Sequence, residues 1–433
     1  MILFGGNVYP SAEQDALLDR LEAHINDTRE KKTLAADTVI TALDTLSHKI
    51  EEGVFNDRIR ALGIDGIDHY VRTAVLMLRR ENLEYKLRTE LGIDGLSPTV
   101  TAPPFAQESL RIRPMPLGTL LHIAAGNVDG LPAYSVAEGV VTGNVNILKL
   151  PQADNGLSIE ILRSLLEIEP RLKEYVYAFD TPSADLAAIK KMADMADGIV
   201  IWGGNEALRA ARTFAPVGAK LIEWGHRLSF AYIAGYRDKE AELRGLATHI
   251  LSTKQLLCSS CQTIFLDTDS MEEVTAFSRE FLSVLEETAA QFPPLSIGEI
   301  AENTLRRYND TLESCLSGEC KPERGRTVFR GERCSVTACE DNALELSAMF
   351  GNCLVKRLPR REIFSALRAH KGVLQTVGLL CPDECRAELE DIFARCGITR
   401  ITTAANMSAL FSGEAHDGEY PLRRYVRIVN LEN

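Results

Sequence analysis

Thr253-Lys-Gln-Leu-Leu-Cys258-Ser-Ser-Cys261-Gln-Thr-Ile-Phe-Leu266 sets a thiol among small hydroxyl residues, after an apolar pair and before the apolar run Thr263 to Leu266. The run reads as a buried β-strand and the polar stretch ahead of it as a loop. Such a loop can present Cys258 to a cleft, and Ser259 and Ser260 leave the approach uncrowded. The attacking species is the thiolate, which nearby backbone N–H groups or a cation favour. Other readings compete on these residues alone. A cysteine beside an apolar run is often a small buried hydrophobe, and Cys258-x-x-Cys261 also has the spacing of a redox pair or half a zinc site.

Upstream, from Leu117, apolar strands alternate with helices. Strands are expected at Leu117 to Ile123, Val145 to Leu150, Tyr175 to Phe179, Gly198 to Trp202 and Leu221 to Glu223. Helices fall between them at Leu131 to Val141, Asn155 to Ile168, Ser183 to Met195 and after Asn205. This alternation with short turns predicts a parallel, doubly wound sheet, whose crevice beyond the strand C-termini is where nucleotides bind. The first turn lacks Gly-x-Gly-x-x-Gly, so a variant of the dinucleotide fold is expected. After His226 a second α/β section begins with Ser229 to Ile233 and includes the cysteine strand. It continues with a helix capped by Ser270 and Glu273, strands at Arg326 to Arg330, Asn352 to Leu358 and Leu374 to Leu380, and helices near Ile363 to His370 and Pro382 to Arg395.

The first hundred residues read as helical, with a capping box at Ser11 and Gln14, a long helix from about Asp68 through Leu87, and Gly92 as a stop. Prolines 98, 103, 104, 114 and 116 make Gly95 to Pro116 an extended connector. At the other end, Val426, Ile428 and Asn430 alternate with Arg427 and Val429, a half-polar strand suited to a sheet edge, of this subunit or another. The expected organisation is a helical region over 1–110 packed on the cofactor domain, a dinucleotide-binding domain over 111–226, a catalytic domain over 227–396 and a returning tail with an oligomerisation strand over 397–433.

Composition narrows the function classes. The 433 residues suffice for two or three domains, and 45% hydrophobic with 25% charged residues is ordinary for a globular protein. A net charge of −13 argues against a sequence-independent nucleic-acid binder. No apolar segment reaches the ~18 residues that span a bilayer, and Met1-Ile-Leu-Phe-Gly-Gly lacks the features of a signal peptide, so a cytoplasmic location is expected. All 10 cysteines lie at or after position 258, and reduced thiols are expected. Cys315-x4-Cys320 and Cys334-x4-Cys339 together resemble a loose four-thiolate cluster, although structural zinc sites use tighter pairs. No metal is expected; a zinc-stabilised interaction protein is the alternative from another class.

Four segments, in order, resemble the signatures of the aldehyde dehydrogenase superfamily. They are Gly126-Asn127 with Gly139-x3-Gly143-Asn144-Val-Asn-Ile-Leu-Lys149; Trp202-Gly203-Gly204; Leu221-Ile-Glu223-Trp-Gly225; and the Cys258 loop, at a fitting interval from Glu223. Ala125-Gly-Asn127-Val, Cys258-Ser-Ser-x-Gln262 and His416-Asp-Gly418 resemble its acyl-CoA reductase branch, typified by the fatty acyl-CoA reductase of bacterial luminescence. The resemblance runs from about Leu117 to the end. It implies an α/β, aldehyde dehydrogenase-like fold of two doubly wound domains. There are departures: Glu223-Trp224-Gly225-His226 lacks the usual second glycine, Ala348 stands where a ribose-binding glutamate usually precedes the Phe350-Gly351 turn, and the glutamine usual just before the nucleophile is displaced to Gln255.

The resemblance implies reduction of an acyl-CoA thioester, fatty in kind, to an aldehyde and CoA through an acyl-Cys258 intermediate. An aldehyde dehydrogenase or acyl-phosphate reductase of the same fold is the alternative. Asn127 and the Cys258 N–H are the candidate oxyanion donors. Glu223 is a proton shuttle or water activator, or else a salt-bridged strand-end carboxylate. His226 invites a Cys-His reading but is as well a loop histidine. Lys149 falls where a lysine contacts the adenosine ribose. Gln152, three residues on, is neutral and tolerates a 2′-phosphate, which points to NADPH with NAD as the alternative. Gly203 and Gly204 would let the pyrophosphate approach the backbone. An acyl-transferring partner protein is a second possible donor, and a homodimer or homotetramer is the expected assembly.

Overall fold

A computed structural model describes residues 1–31, 33–61, 67–92, 95–101, 105, 109–124, 130–316, 325–410 and 413–432. The chain forms two units, Met1–Gly225 with Leu410–Asn433, and His226–Ala409. Among the described residues the first contains β1 (Ile2–Phe4), β2 (Asn7–Tyr9), β3 (Thr99–Thr101), β4 (Leu110–Pro116), β5 (Thr119–Ile123), β6 (Val145–Lys149), β7 (Val176–Phe179), β8 (Gly198–Trp202) and β9 (Lys220–Trp224). The second contains β10 (Leu228–Ile233), β11 (Cys261–Leu266), β12 (Arg326–Arg330), β13 (Ser335–Cys339), β14 (Asn352–Arg357), β15 (Leu374–Leu380) and β16 (Arg400–Thr403), and the tail strand β17 (Val426–Leu431) returns to the first.

The first large sheet has the order β2-β1-β7-β6-β5-β8-β9, with β5 to β9 parallel. Every residue of β6 and β7 is buried, so β7 appears in sequence as a continuous apolar run rather than an alternating one, while β6 also buries the polar Asn146 and Lys149. The helix Leu131–Val141 crosses from β5 to β6 so closely that a Cβ on Gly139 would lie 1.8 Å from Oδ1 of Asn146. Strand order proceeds from β5 to β7 on one side and from β8 to β9 on the other. The reversal opens a crevice at the C-terminal ends of β5 and β8. The second sheet, β12-β13-β14-β11-β10-β15-β16, is parallel apart from β12 against β13.

Several expectations change. Residues 1–110 are not helical throughout: a hairpin turning at Gly5-Gly6 makes β1 and β2, and β1 joins the large sheet antiparallel to β7. Ser11 does not cap a helix; it opens a single 3₁₀ turn and its hydroxyl donates to Asp180 Oδ2 at 2.7 Å. The long helix around Asp68 to Leu87 is two, Ile67–Leu78 and Arg80–Leu91, broken at Arg79 (ψ 140°) where Asp44 accepts from the Arg80 N–H. Gly92 ends the second with φ 98°. The proline-rich connector holds β3 and β4. β3 pairs only with Leu110 to Ile112, so prolines 114 and 116 lie beyond it and break no ladder there. Along the other side of β4 runs β17, from Val426 opposite Pro116 to Leu431 opposite Arg111, so the tail pairs within its own chain. Residues 397–409 belong to the second unit rather than to the tail. Among the described residues no helix is long and apolar enough to cross a membrane.

Candidate active site

The cysteine loop leaves helix Lys239–Thr253 through two residues in left-handed backbone conformation, Lys254 (φ 49°) and Gln255 (φ 61°). Such positions cost about 1–3 kcal/mol each for a non-glycine residue. They face a second left-handed run, Met349, Phe350 and Gly351, and hydrogen bonds stitch the two. Phe350 N donates to Lys254 O at 3.1 Å, Gly351 N to Gln255 Oε1 at 3.1 Å, Gln255 Nε2 to Cys261 O at 3.0 Å and Gln262 Nε2 to Gln255 O at 2.8 Å. Gln255, 1% exposed, is therefore an internal brace of the loop. The Lys254 ammonium adds an ion pair with Glu299.

Beyond the brace the chain makes a turn in which Ser260 N donates to Leu257 O at 3.0 Å and Leu257 N to Ser260 Oγ at 3.1 Å, leaving Cys258 and Ser259 at its tip. The tip lies at the N-terminal ends of β10, β11 and β15. Ser229 Oγ donates to the Cys258 carbonyl at 2.7 Å and accepts from Thr376 N at 3.1 Å, while Gln375 Nε2 donates to Cys258 Sγ at 3.5 Å. Ser229, Gln375 and Thr376 carry no sequence signature, and only the strand register brings them here.

Among the cysteines whose side chains are described, Cys258 alone is exposed. Cys261 is 1% exposed, its Sγ donates to Thr263 O at 3.5 Å, and burial pushes its thiol up to about 12. It is thus a core side chain of β11 and a poor redox partner for Cys258. The zinc reading meets a geometric obstacle. Cys334 and Cys339 bracket β13, so five residues of strand set them roughly 16 Å apart and on opposite faces, too far to share one ion. Cys315 and Cys320 lie outside the side chains described. Cys339 does approach Asp341 and Glu345, but the fully buried Lys356 already supplies the cation: its Nζ bonds Asp341 Oδ1 and, at 2.6 Å, Glu345 Oε1.

In the first unit Lys149 ends β6, 4% exposed, with Nζ donating to Ser183 Oγ at 2.9 Å and burial lowering its pKa. Gln152 is exposed in the turn that follows. Gly203 and Gly204 follow β8, and Gly204 caps helix Asn205–Phe214; a Cβ on Gly204 would meet nothing within 4 Å. That open backbone at a helix N-terminus, near the switch point and with an uncharged Gln152, suits a dinucleotide phosphate and ribose. Trp202 and Trp224, the last residues of β8 and β9, pack against His416 with ring centroids 5.2 and 5.0 Å away. Trp202 Nε1 reaches Ser135 Oγ at 3.1 Å, and Ser135 meets Nδ1 of the buried His122 at 2.7 Å. The His416-Asp-Gly418 motif is thus a turn on this aromatic pair.

Glu223 lies near the end of β9 with both carboxylate oxygens on Arg212, each at 2.7 Å. This is the geometry of a salt-bridged strand-end carboxylate, and proton transfer at Glu223 would first require release of Arg212. His226 is exposed, and partial desolvation of its ring together with the Arg227 charge lowers its pKa. Asn127 lies outside the described residues.

The two sheets define the aldehyde dehydrogenase fold. A NAD-dependent benzaldehyde dehydrogenase from Corynebacterium glutamicum matches with a TM-score of 0.68 at 11% identity, over 98% of this chain and 91% of its own. A putative aldehyde dehydrogenase from Burkholderia cenocepacia matches with a TM-score of 0.71 at 14% identity, over 97% and 89%. The model of the acyl-CoA reductase (LuxC) family matches residues 33–428, and the chain belongs to that family. Long-chain acyl-protein thioester reductase 2 of Photobacterium leiognathi is 27% identical over 74% of this chain and 65% of its own length, so the chain spans just under two-thirds of that relative. The long-chain acyl-protein thioester reductase of Vibrio harveyi is 23% identical over 83% of this chain and 72% of its own.

Proposed function

We propose that this chain reduces a long-chain acyl thioester to an aldehyde, with NADPH as hydride source and Cys258 as nucleophile. The observation that carries the reading is the exposed Cys258 thiol at the tip of a braced loop, with an amide N–H on its sulfur. The Cys258 thiolate attacks the acyl carbonyl; a carbon–sulfur bond to Cys258 forms, the bond to the donor thiol breaks, and that thiol leaves and takes a proton. The Cys258 N–H, with Asn127 as the proposed second donor, receives the negative oxygen. Lys149 and Gln152 would hold the adenosine ribose of a nicotinamide dinucleotide and Gly203 and Gly204 its pyrophosphate, and the bound cofactor would supply the hydride for the acyl carbon. The resulting thiohemiacetal oxygen expels Cys258 as thiolate, releasing the aldehyde. Overall, acyl thioester, NADPH and a proton give aldehyde, thiol and NADP.

Glu223 acting as a proton shuttle and a homodimer or homotetramer extend the proposal. A cytoplasmic setting is part of it, since there Cys258 stays a free thiol. The matched relatives are named for acyl-protein thioesters, so the donor is CoA or an acyl-carrying partner protein. Radiolabelled acyl-CoA and acyl-protein are offered in turn. Cys258→Ser is expected to abolish acyl labelling and Cys261→Ser largely to keep it; the reverse pattern would reject Cys258. Turnover on aldehyde or acyl phosphate, compared at fixed NADPH and then NADH, separates the other reactions of this fold.

A further inference from the structure

Strand register brings the head of β15 beside the cysteine loop: Leu374 pairs with Leu228, and Ser229, the next residue of β10, pairs with Cys261. Gln375 follows Leu374 and is only 7% exposed. Its Nε2 donates to Cys258 Sγ at 3.5 Å, and its backbone carbonyl accepts from Thr399 N at 3.0 Å and Thr399 Oγ1 at 3.3 Å. The adjacent Thr376 donates to Ser229 Oγ, which donates to the Cys258 carbonyl. Two consecutive residues of one strand therefore hold Cys258 at both ends, the sulfur by a side-chain amide and the carbonyl through a serine. A polar side chain this buried has given up most of its water, and the bond from its Nε2 to Cys258 Sγ offsets part of that loss.

We propose that Gln375 is a catalytic residue at Cys258: its amide N–H stabilises the thiolate before attack and again as the leaving group when the aldehyde departs. This rests on the reading of Cys258 as the nucleophile. The reason is asymmetry between protonation states, because a donor aimed at sulfur helps the charged form far more than the neutral one. The bond also restrains rotation of the cysteine side chain, so the sulfur is presented in one direction. Gln375 exchanges no proton and forms no covalent bond.

Gln375→Met keeps the approximate volume and removes the donor; Gln375→Glu keeps the shape and replaces the donor with an acceptor. The charges on the segments around the loop are Lys254 with Glu299, His226 and Arg227 ahead of β10, His370 and Lys371 ahead of β15, and Arg400 on β16. They are common to wild type and both variants, so the difference in thiol reactivity between wild type and Gln375→Met isolates the amide, while Gln375→Glu adds a carboxylate charge that disfavours the thiolate further. The rate of iodoacetamide alkylation at Cys258 is read at pH 7 by peptide mass, alongside the acylation rate and KM. Alkylation and acylation are expected to fall about tenfold in Gln375→Met and further in Gln375→Glu, with KM little changed. Unchanged alkylation in either folded variant would overturn the proposal. An alkylation difference without acyl labelling of wild-type Cys258 by either donor would instead overturn the nucleophile reading, and the catalytic role of Gln375 with it.

Discussion

Cys258 and Cys261 stand three residues apart and behave oppositely, because one tips a turn and the other has entered a strand buried along its whole length. The sequence shows the pair but not which thiol is exposed. Beneath them lies His249, 4% exposed, whose Nε2 accepts from Cys261 N at 3.2 Å. Burial, with the Arg400 charge, lowers its pKa from 6.5 to about 4. In the unfolded chain this ring binds a proton as pH falls below 6.5, while in the fold it stays neutral until about 4. Its contribution is therefore complete above pH 6.5 and is lost as pH falls toward about 4. Roughly 3 kcal/mol is at stake, at about 1.4 kcal/mol per pKa unit. His249→Gln, which retains an acceptor, is expected to flatten this loss in β11, read by hydrogen exchange across that pH range.

At the scale of elements, the apolar run at 374–380 was legible as β15, because a strand buried in a parallel sheet needs no partner to announce itself, whereas 326–330 forms β12, a mostly exposed edge strand antiparallel to β13. Pairing was not legible. The alternative of a two-pair thiolate cluster meets an obstacle of geometry, because Cys334 precedes β13 and Cys339 ends it. Its neighbour β14 carries Lys356, a lysine with no exposure inside an apolar sheet, neutralised by Asp341 and Glu345. For Asp341 burial works against ionisation, but the hydrogen bond and charge of Lys356 outweigh it and hold the carboxyl below its usual range. That depressed value contributes stability above the ordinary carboxylate range, lost as pH falls through the folded value. Lys356→Met should destabilise the second unit at neutral pH by about 1–3 kcal/mol. The partners are 48% and 35% exposed, so the loss stays below that for a fully buried pair. Urea unfolding at pH 7 and pH 4 checks both parts, since the variant should also show a shallower acid dependence.

For the molecule as a whole, the first unit is completed by residues more than 180 positions downstream of its last sheet strand. Tyr425 has no exposure, and its carbonyl accepts from Leu117 N at 3.0 Å and Asn144 Nδ2 at 3.1 Å. Leu422 N donates to the buried Glu90 at 2.6 Å. Both tryptophans of the chain, Trp202 and Trp224, lie in this unit, so intrinsic tryptophan fluorescence follows it directly. Tyr425→Ala should remove about 3–5 kcal/mol from the first unit. The fluorescence transition in urea is expected to move to lower concentration while hydrogen exchange of β10, β11 and β15 stays unchanged.

Sequence alone determined the α/β class, the order of most strands, the thiol-bearing loop and the resemblance that led to the acyl-CoA reductase family. Those features are local, since burial on both faces of a parallel sheet and the residue types of a turn are written in contiguous stretches. Tertiary structure decided which cysteine meets solvent, that Gln255 braces the loop while Gln375 reaches the sulfur, and that Arg212 holds Glu223. It also paired the tail with β4 of its own chain. Each of these depends on strand register and side-chain direction between segments distant in sequence. A one-residue shift of register would exchange the inward and outward faces of a strand without altering any motif.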